Sequence, residues 1–327
     1  MAEWLYEEGL GENRAALVDG DTILEAAIEL PGRLRAAAIL AGRLTAVLVP
    51  GRRGIVTLDD GEEALIEPIP PDTSEGEELK VEIVREAIPE AGRFKLAKAR
   101  ASDREARPGP SLAERIRATG HAIKLLRPHE PDWLEEAGWS ELLDEALTGE
   151  IAFPGGSLRM SVTPAMTLFD VDGPLPAPAL AVAGAQAAAR TIRRLGIGGS
   201  IGIDLPTVPD KTIRQAAAAA LDALLPQPFE RTQVNGFGFL QVVRRRERPS
   251  LPELLQGDPP GAAARALLRR AERTEGAGDI VIAASPAVVG RIEASWLDSL
   301  RRSRGAEVAL QADPALSISA GHVHRPL

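Results

Sequence analysis

Two aspartates stand at the carboxyl ends of hydrophobic runs, Asp170 in TLFDVD and Asp204 in SIGIDLP. Short apolar runs of this kind read as buried strands, and in an α/β sheet ligands bind outside the carboxyl ends of the strands. Carboxylates from two neighbouring strands can share one hard cation through oxygen ligands. Mg²⁺ held in this way, with Mn²⁺ as a substitute, would activate water and neutralise charge on a phosphodiester. Asp172 lies two residues beyond Asp170, and the period-two geometry of a strand puts both on one face. Asp172 could be a third ligand, a group that supports the ligands from behind, or a turn residue ahead of Gly173-Pro174. Aspartates at strand ends also serve as caps and turn formers, so spacing alone leaves the metal reading open.

The candidate phosphate contacts are cationic and lie in the same region. Arg244, Arg245, Arg246 and Arg248 follow a hydrophobic strand, Arg190, Arg193 and Arg194 line one helix, and Lys211 opens another. Their plainer reading is a solvated basic face, set against contact with a nucleic-acid backbone. Phe237 and Phe239 flank Gly238 and could stack a base, or join the core of a chain with only 3% aromatic residues. The net charge of −9 argues against generic nucleic-acid binding, but the regional balance differs. Residues 1–105 carry 13 Lys/Arg against 22 Asp/Glu, whereas residues 151–250 carry 11 against 7. A phosphate backbone would be drawn to the second region, where the paired aspartates lie.

Other chemistries find less support. The chain has no cysteine, which excludes disulfides, a cysteine nucleophile and a thiolate zinc site. His121, His129, His322 and His324 lack metal-ligand spacing. There is no P-loop or GxGxxG, and GIGG at 196–199 reads as a helix cap and turn. No apolar run approaches 18 residues, and the acidic amino terminus lacks a signal-like core, so no membrane partner and a cytoplasmic location are expected.

The elements that must position these residues follow from patterning. Short alternating runs and tight turns in residues 1–105 predict a small β-barrel with additional N-terminal strands. Residues 106–150 predict a helical connector, with one helix at 112–126 started by a Ser111/Glu114 capping box and another at 133–147. Residues 151–255 predict an α/β unit: strands at 157–162 and 166–171, a helix at 179–195, a strand at 198–203 ending in Asp204, a helix at 211–225, and strands at 230–235 and 238–243. Residues 251–260 read as a linker. Residues 256–327 predict a small α/β unit, with helices at 262–273 and 288–299, strands at 279–283 and 306–311, and a frayed end.

Taken in order, these segments resemble the ribonuclease E/G family. The most specific stretch is GGSLRMSVTPAMTLFDVDG followed by QAAARTIRRLGIGGSIGIDLP. FGF at 237–239, RRRERPSL, ELLDEALTGEIAFPGGS, ENRAALVDGDTILEAAIE and LAGRLTAVLVPGRRGIVTLDDGEEALIEP are similar to the family as well, as are residues 262–312. The resemblance implies an α+β multidomain fold: an N-terminal S1/OB-type β-barrel, a central α/β DNase I-like catalytic domain and a small C-terminal α/β domain. It implies catalytic Mg²⁺ on Asp170 and Asp204, and cleavage of single-stranded, often AU-rich RNA to leave 5′-phosphate ends. Departures qualify it. Asp172 stands where the family usually has Asn, the RNase H-like and 5′-sensor regions are reduced, and the zinc-link cysteines are absent, which leaves a homodimer possible only without zinc. An active endoribonuclease is therefore the first expectation. An inactive RNA-binding or regulatory relative and a scaffold that binds no nucleic acid are the alternatives.

Overall fold

The computed structural model describes residues 1–90 and 93–326. Strands β1 (Glu3–Glu8), β2 (Asn13–Asp19) and β3 (Thr22–Glu29) form an antiparallel meander. The chain then builds a closed barrel from β4 (Ile39–Val49), β5 (Arg53–Leu58), β6 (Glu63–Ile66) and β7 (Glu78–Arg85). A small hairpin, β8 (Ile88–Glu90) and β9 (Arg93–Lys95), precedes β10 (Ala97–Ala101), which pairs with both β6 and β7 and closes the ring. Alternation along these strands turns Leu44, Val56, Ile66, Val81 and Ile83 into a shared interior. The barrel therefore consists of β4, β5, β6, β7 and β10, and β1–β3 belong to a separate sheet.

The connector differs from its sequence reading. Helix α1 (Leu112–Arg117) has the expected capping box, with the Ser111 hydroxyl accepting from the Glu114 amide and the Glu114 carboxylate accepting from the Ser111 amide. It stops at Arg117, and β11 (Ala122–Leu126) pairs in parallel with β1. An open edge on β1 is satisfied by those backbone groups, which outweighs the helical pattern of the side chains. The predicted second helix is broken at Gly138, which has a left-handed backbone, into α2 (Trp133–Glu136) and α3 (Trp139–Thr148).

The α/β unit comprises β12 (Glu150–Phe153), β13 (Gly156–Val162), β14 (Thr167–Asp172), α4 (Ala177–Arg194), β15 (Gly199–Asp204), α5 (Lys211–Leu224), β16 (Phe229–Arg231) and β17 (Phe239–Arg244). Its six strands lie in the order β12-β13-β14-β15-β17-β16, with β14 and β15 parallel and joined through α4. The predicted linker is a helix, α6 (Leu251–Gly257). Pro252 is tolerated in its first turn, where the missing N–H would have had no helical partner. Ser250 and Glu253 cap it, and Leu251 and Leu255 join the main core. The last unit holds α7 (Pro259–Arg273), β18 (Ile280–Ala284), α8 (Pro286–Val289), α9 (Ala294–Arg304), β19 (Val308–Ala312) and β20 (His322–His324). The end predicted to fray is thus the antiparallel partner of β18. Among the described residues, no helix is long and apolar enough to cross a membrane.

A buried ionic network ties the ends of the chain together. Glu7 of β1 accepts from Arg14 of β2 at 2.7 Å and from Arg269 of α7 at 2.8 Å, and it also pairs with Arg273. Glu12 bridges Arg14 at 2.7 Å and Arg265 at 2.8 Å. Burial raises the Glu7 carboxyl, but the guanidiniums of Arg14, Arg269 and Arg273 outweigh it and hold the group below its ordinary value of 4.5. Removing one member strands the others in a dry environment, which costs more than the network gains as a whole. Glu7→Ala should therefore lower stability by about 3–5 kcal/mol, read by urea unfolding.

Glu272 of α7, beside this network, behaves in the opposite way. Burial pushes its carboxyl up to about 7, with Arg14 and the Leu10 amide pulling it down less strongly. In the unfolded chain it titrates near 4.5. Between those values the folded state holds a proton that the unfolded state has released, so stability falls as pH rises through the window and levels off above it. Glu272→Gln should therefore unfold at a higher temperature than the wild type at pH 8, and the advantage should vanish by pH 4.5, as followed by circular dichroism.

Candidate active site on the open sheet face

Strand alternation divides the six-stranded sheet into two faces. Leu158, Met160, Phe169, Val171, Ile201, Ile203, Leu240 and Val242 are buried in the core that includes α4 and α5. The intervening residues Arg159, Asp170, Asp172 and Asp204 are exposed. The pairing register then sets their neighbours. Asp170 lies directly opposite Asp204 in the parallel β14–β15 pair. The same row runs outward to Arg159 and Glu150 on one side and to Phe239 on the other. Adjacent strands are about 4.8 Å apart, so the two carboxylates flank one position on the surface.

Their surroundings are polar and open. Arg159 donates to Glu150 at 2.9 Å, and its guanidinium is held above the usual range mainly by that hydrogen bond, with Asp170 and Asp172 adding to it. Asp172 sits opposite Ser157, two residues further along the face. Its Oδ1 accepts from the Gly173 amide at 2.8 Å, which realises the turn-forming reading. Among the described residues, no group of three His, Cys, Asp or Glu could hold a metal ion, so Asp172 does not join the pair as a third ligand in this geometry.

An aromatic rim borders Asp204. The Leu205 amide donates to Gly238 O at 3.2 Å, and the Thr207 hydroxyl donates to Phe237 O at 3.0 Å. Asn235 Oδ1 accepts from the amides of both Phe237 and Phe239, at 2.9 and 3.0 Å. This turn presents Phe237 with 83% of its surface exposed, beside the segment that follows Asp204. Phe239 instead lies partly buried over Gly202, where an added Cβ would stand 2.6 Å from the ring. Lys211 is exposed at the start of α5, whose first turn is capped by Asp210.

The predicted arginines are not at this site. Helix α4 runs back along the sheet, so Arg193 and Arg194 at its end lie by the amino end of β15. There Arg193 bonds Glu25 at 2.8 Å and Arg194 pairs with Glu145. Arg244 is opposite Gly199 and donates to Ile197 O at 3.1 Å. At about 3.3 Å per residue, it is on the order of 16 Å along the strands from Asp204. Arg245 pairs with Glu247 and Arg246 with Glu253, while Arg190 is exposed on α4, on the covered side of the sheet. Strand direction, which composition cannot reveal, separates these cations from the carboxylates. The cation that does stand beside Asp170, Arg159, was missed because its place depends on register.

Neither the protein-family models nor the curated proteins compared with this chain match it.

Gly238 is the backbone hinge of the rim. Its φ is +94°, and a Cβ there would stand 2.1 Å from Leu205 O. Gly238→Ala should cost about 1–3 kcal/mol in urea unfolding and release the ordered position of Phe237, read as a gain in proteolysis at residues 235–239.

Proposed function

We propose that this protein is an endoribonuclease that hydrolyses single-stranded RNA with the help of a divalent cation and leaves 5′-phosphate ends. The observation that carries the reading is the in-register placement of Asp170 opposite Asp204 on an open sheet face. The resemblance to the ribonuclease E/G family supports it, and with it a DNase I-like reading of the six-stranded sheet. The two exposed carboxylates form an all-oxygen donor set of the kind that suits Mg²⁺, which is commonly held by one or two carboxylates with water and substrate phosphate completing the sphere. Mg²⁺, once held by Asp170 and Asp204, supplies Lewis acidity at a phosphodiester oxygen. Arg159 offers its guanidinium to a neighbouring phosphate. Phe237 offers a face for an unpaired base, which suits single strands because a stacked duplex presents no free base face.

The second reading, a relative that binds RNA without cleaving it, is favoured by one observation. Arg193, Arg194, Arg245 and Arg246 lie away from the carboxylates, so a phosphate backbone held on them would be bound out of reach of Asp170 and Asp204.

The test is incubation of the full chain with a labelled, single-stranded AU-rich RNA, with Mg²⁺ and with EDTA. Cleavage should require Mg²⁺ and should fall at least about 100-fold in Asp170→Asn and in Asp204→Asn. Both positions are exposed, so the variants should unfold within about 0.5 kcal/mol of the wild type. Wild-type RNA left intact but bound would favour the second reading. Cleavage that persists in both variants would remove the aspartates from the mechanism.

A further inference from the structure

The arginines that lie away from the carboxylates gather around a separate cleft of about 650 Å³. It forms where α1, β3, the β8–β9 hairpin beside the barrel and the segment after β17 meet. Nine arginines line it against six carboxylates. Most of those carboxylates are already engaged. Glu29 accepts from the Leu112 amide at 2.7 Å and pairs with Arg35 at 3.3 Å. Glu25 holds Arg193, Glu247 holds Arg245 and Arg248, and Asp258 holds Arg291. Glu86 accepts from the Ala36 amide and pairs with Arg248 at 3.3 Å, and burial pushes its carboxyl above the usual carboxylate range.

Cationic capacity is left over. The half-buried Arg115 side chain makes no hydrogen bond or ion pair among the described residues. Burial pushes its guanidinium down to about 10, and Arg248 and Arg35 nearby add to the effect, against the opposing pull of Glu86 and Glu29. A half-buried guanidinium without a protein acceptor keeps its donors available for an anion that enters the cleft. The same cleft presents an exposed aromatic ring, Phe94, with the Arg33 guanidinium 5.8 Å from its centroid. Its remaining lining includes the apolar side chains of Leu112 and Ile116. A volume of this size matches a small organic ligand, and fixed cations beside an exposed aromatic suit one with both phosphate and a planar base.

We infer that this cleft binds a free nucleoside diphosphate or triphosphate, with its phosphates on Arg115 between Arg35 and Arg248 and its base on Phe94. The site lies by the amino end of β15, away from Asp170 and Asp204, so it stands independently of the nuclease reading. Its occupant would bridge the barrel, the N-terminal sheet and the α/β unit, which makes it suited to an effector that adjusts how these parts sit together.

Isothermal titration of the full chain with ADP and with inorganic pyrophosphate tests the assignment. Both probes should bind. Arg115→Gln should weaken both by at least about tenfold, in line with loss of a charge-assisted contact. Phe94→Ala should weaken ADP and leave pyrophosphate unchanged, and because Phe94 is exposed it keeps the test open if Arg115→Gln fails to fold. Wild-type protein that binds neither probe at millimolar concentration would overturn the inference, as would an Arg115→Gln variant that folds and binds as the wild type does. Equal loss of both probes in Phe94→Ala would overturn the base platform.

Discussion

The parallel pairing of β14 with β15 is the constraint on which the rest of the arrangement depends. Two carboxylates that each sit near the carboxyl end of a strand can occupy one cross-strand row only if both strands run the same way and end together. A parallel pair cannot be joined by a tight turn, so the chain must leave the sheet and return through a crossover, here α4. That helix has to lie flat on one face, and its Ala-rich side, with Ala181, Ala185 and Ala188 buried, permits the approach. The opposite face is thereby left to water. Like charges about 5 Å apart repel by less than about 1 kcal/mol in a high-dielectric environment, so an open face tolerates the pair without a cation, whereas a buried one would not.

The same strand direction sorts the charge of the α/β unit. Its carboxyl end holds Asp170, Asp204 and the Phe237 rim, while its amino end holds Arg193 and Arg244 against the barrel and α1. The sheet thus presents a cation-attracting end and an anion-attracting end. Neither is free to drift relative to the other units, because α6 packs Leu251 and Leu255 into the main core and α7 carries three arginines onto Glu7 and Glu12. The ionic network contributes less to net stability than to fixing how β1, β2 and α7 meet, since only one arrangement satisfies every buried charge.

Much of this was legible in the residues and some was not, for physical reasons. The strands that carry Asp170 and Asp204, the crossover helix and its glycine turn were readable because apolar periodicity and caps are local signals. The barrel strands and the additional N-terminal strands were readable for the same reason, but the pairing of β11 with β1 was not, because it joins residues more than 100 positions apart. Residues 122–126 read as helix since their apolar spacing fits either period, and the open edge of β1 decided the matter. The prolines and glycines around α6 suggested a linker, yet they occupy positions that a short capped helix allows. At the site, residue type identified both aspartates and Phe237. The partner of Asp170 across the sheet, Arg159, and the displacement of the other arginines required register and direction, which one sequence does not encode locally.

The central claim is that Asp170 and Asp204 together form a divalent-cation site. Titration of the full chain with Mn²⁺, followed by electron paramagnetic resonance of the free ion, tests it without reliance on any substrate. The account predicts one bound ion per chain, displaced by Mg²⁺, and lost when either Asp170→Asn or Asp204→Asn is introduced into an otherwise folded protein. Binding that survives both substitutions, or a folded wild type that takes up no ion at millimolar concentration, would contradict it.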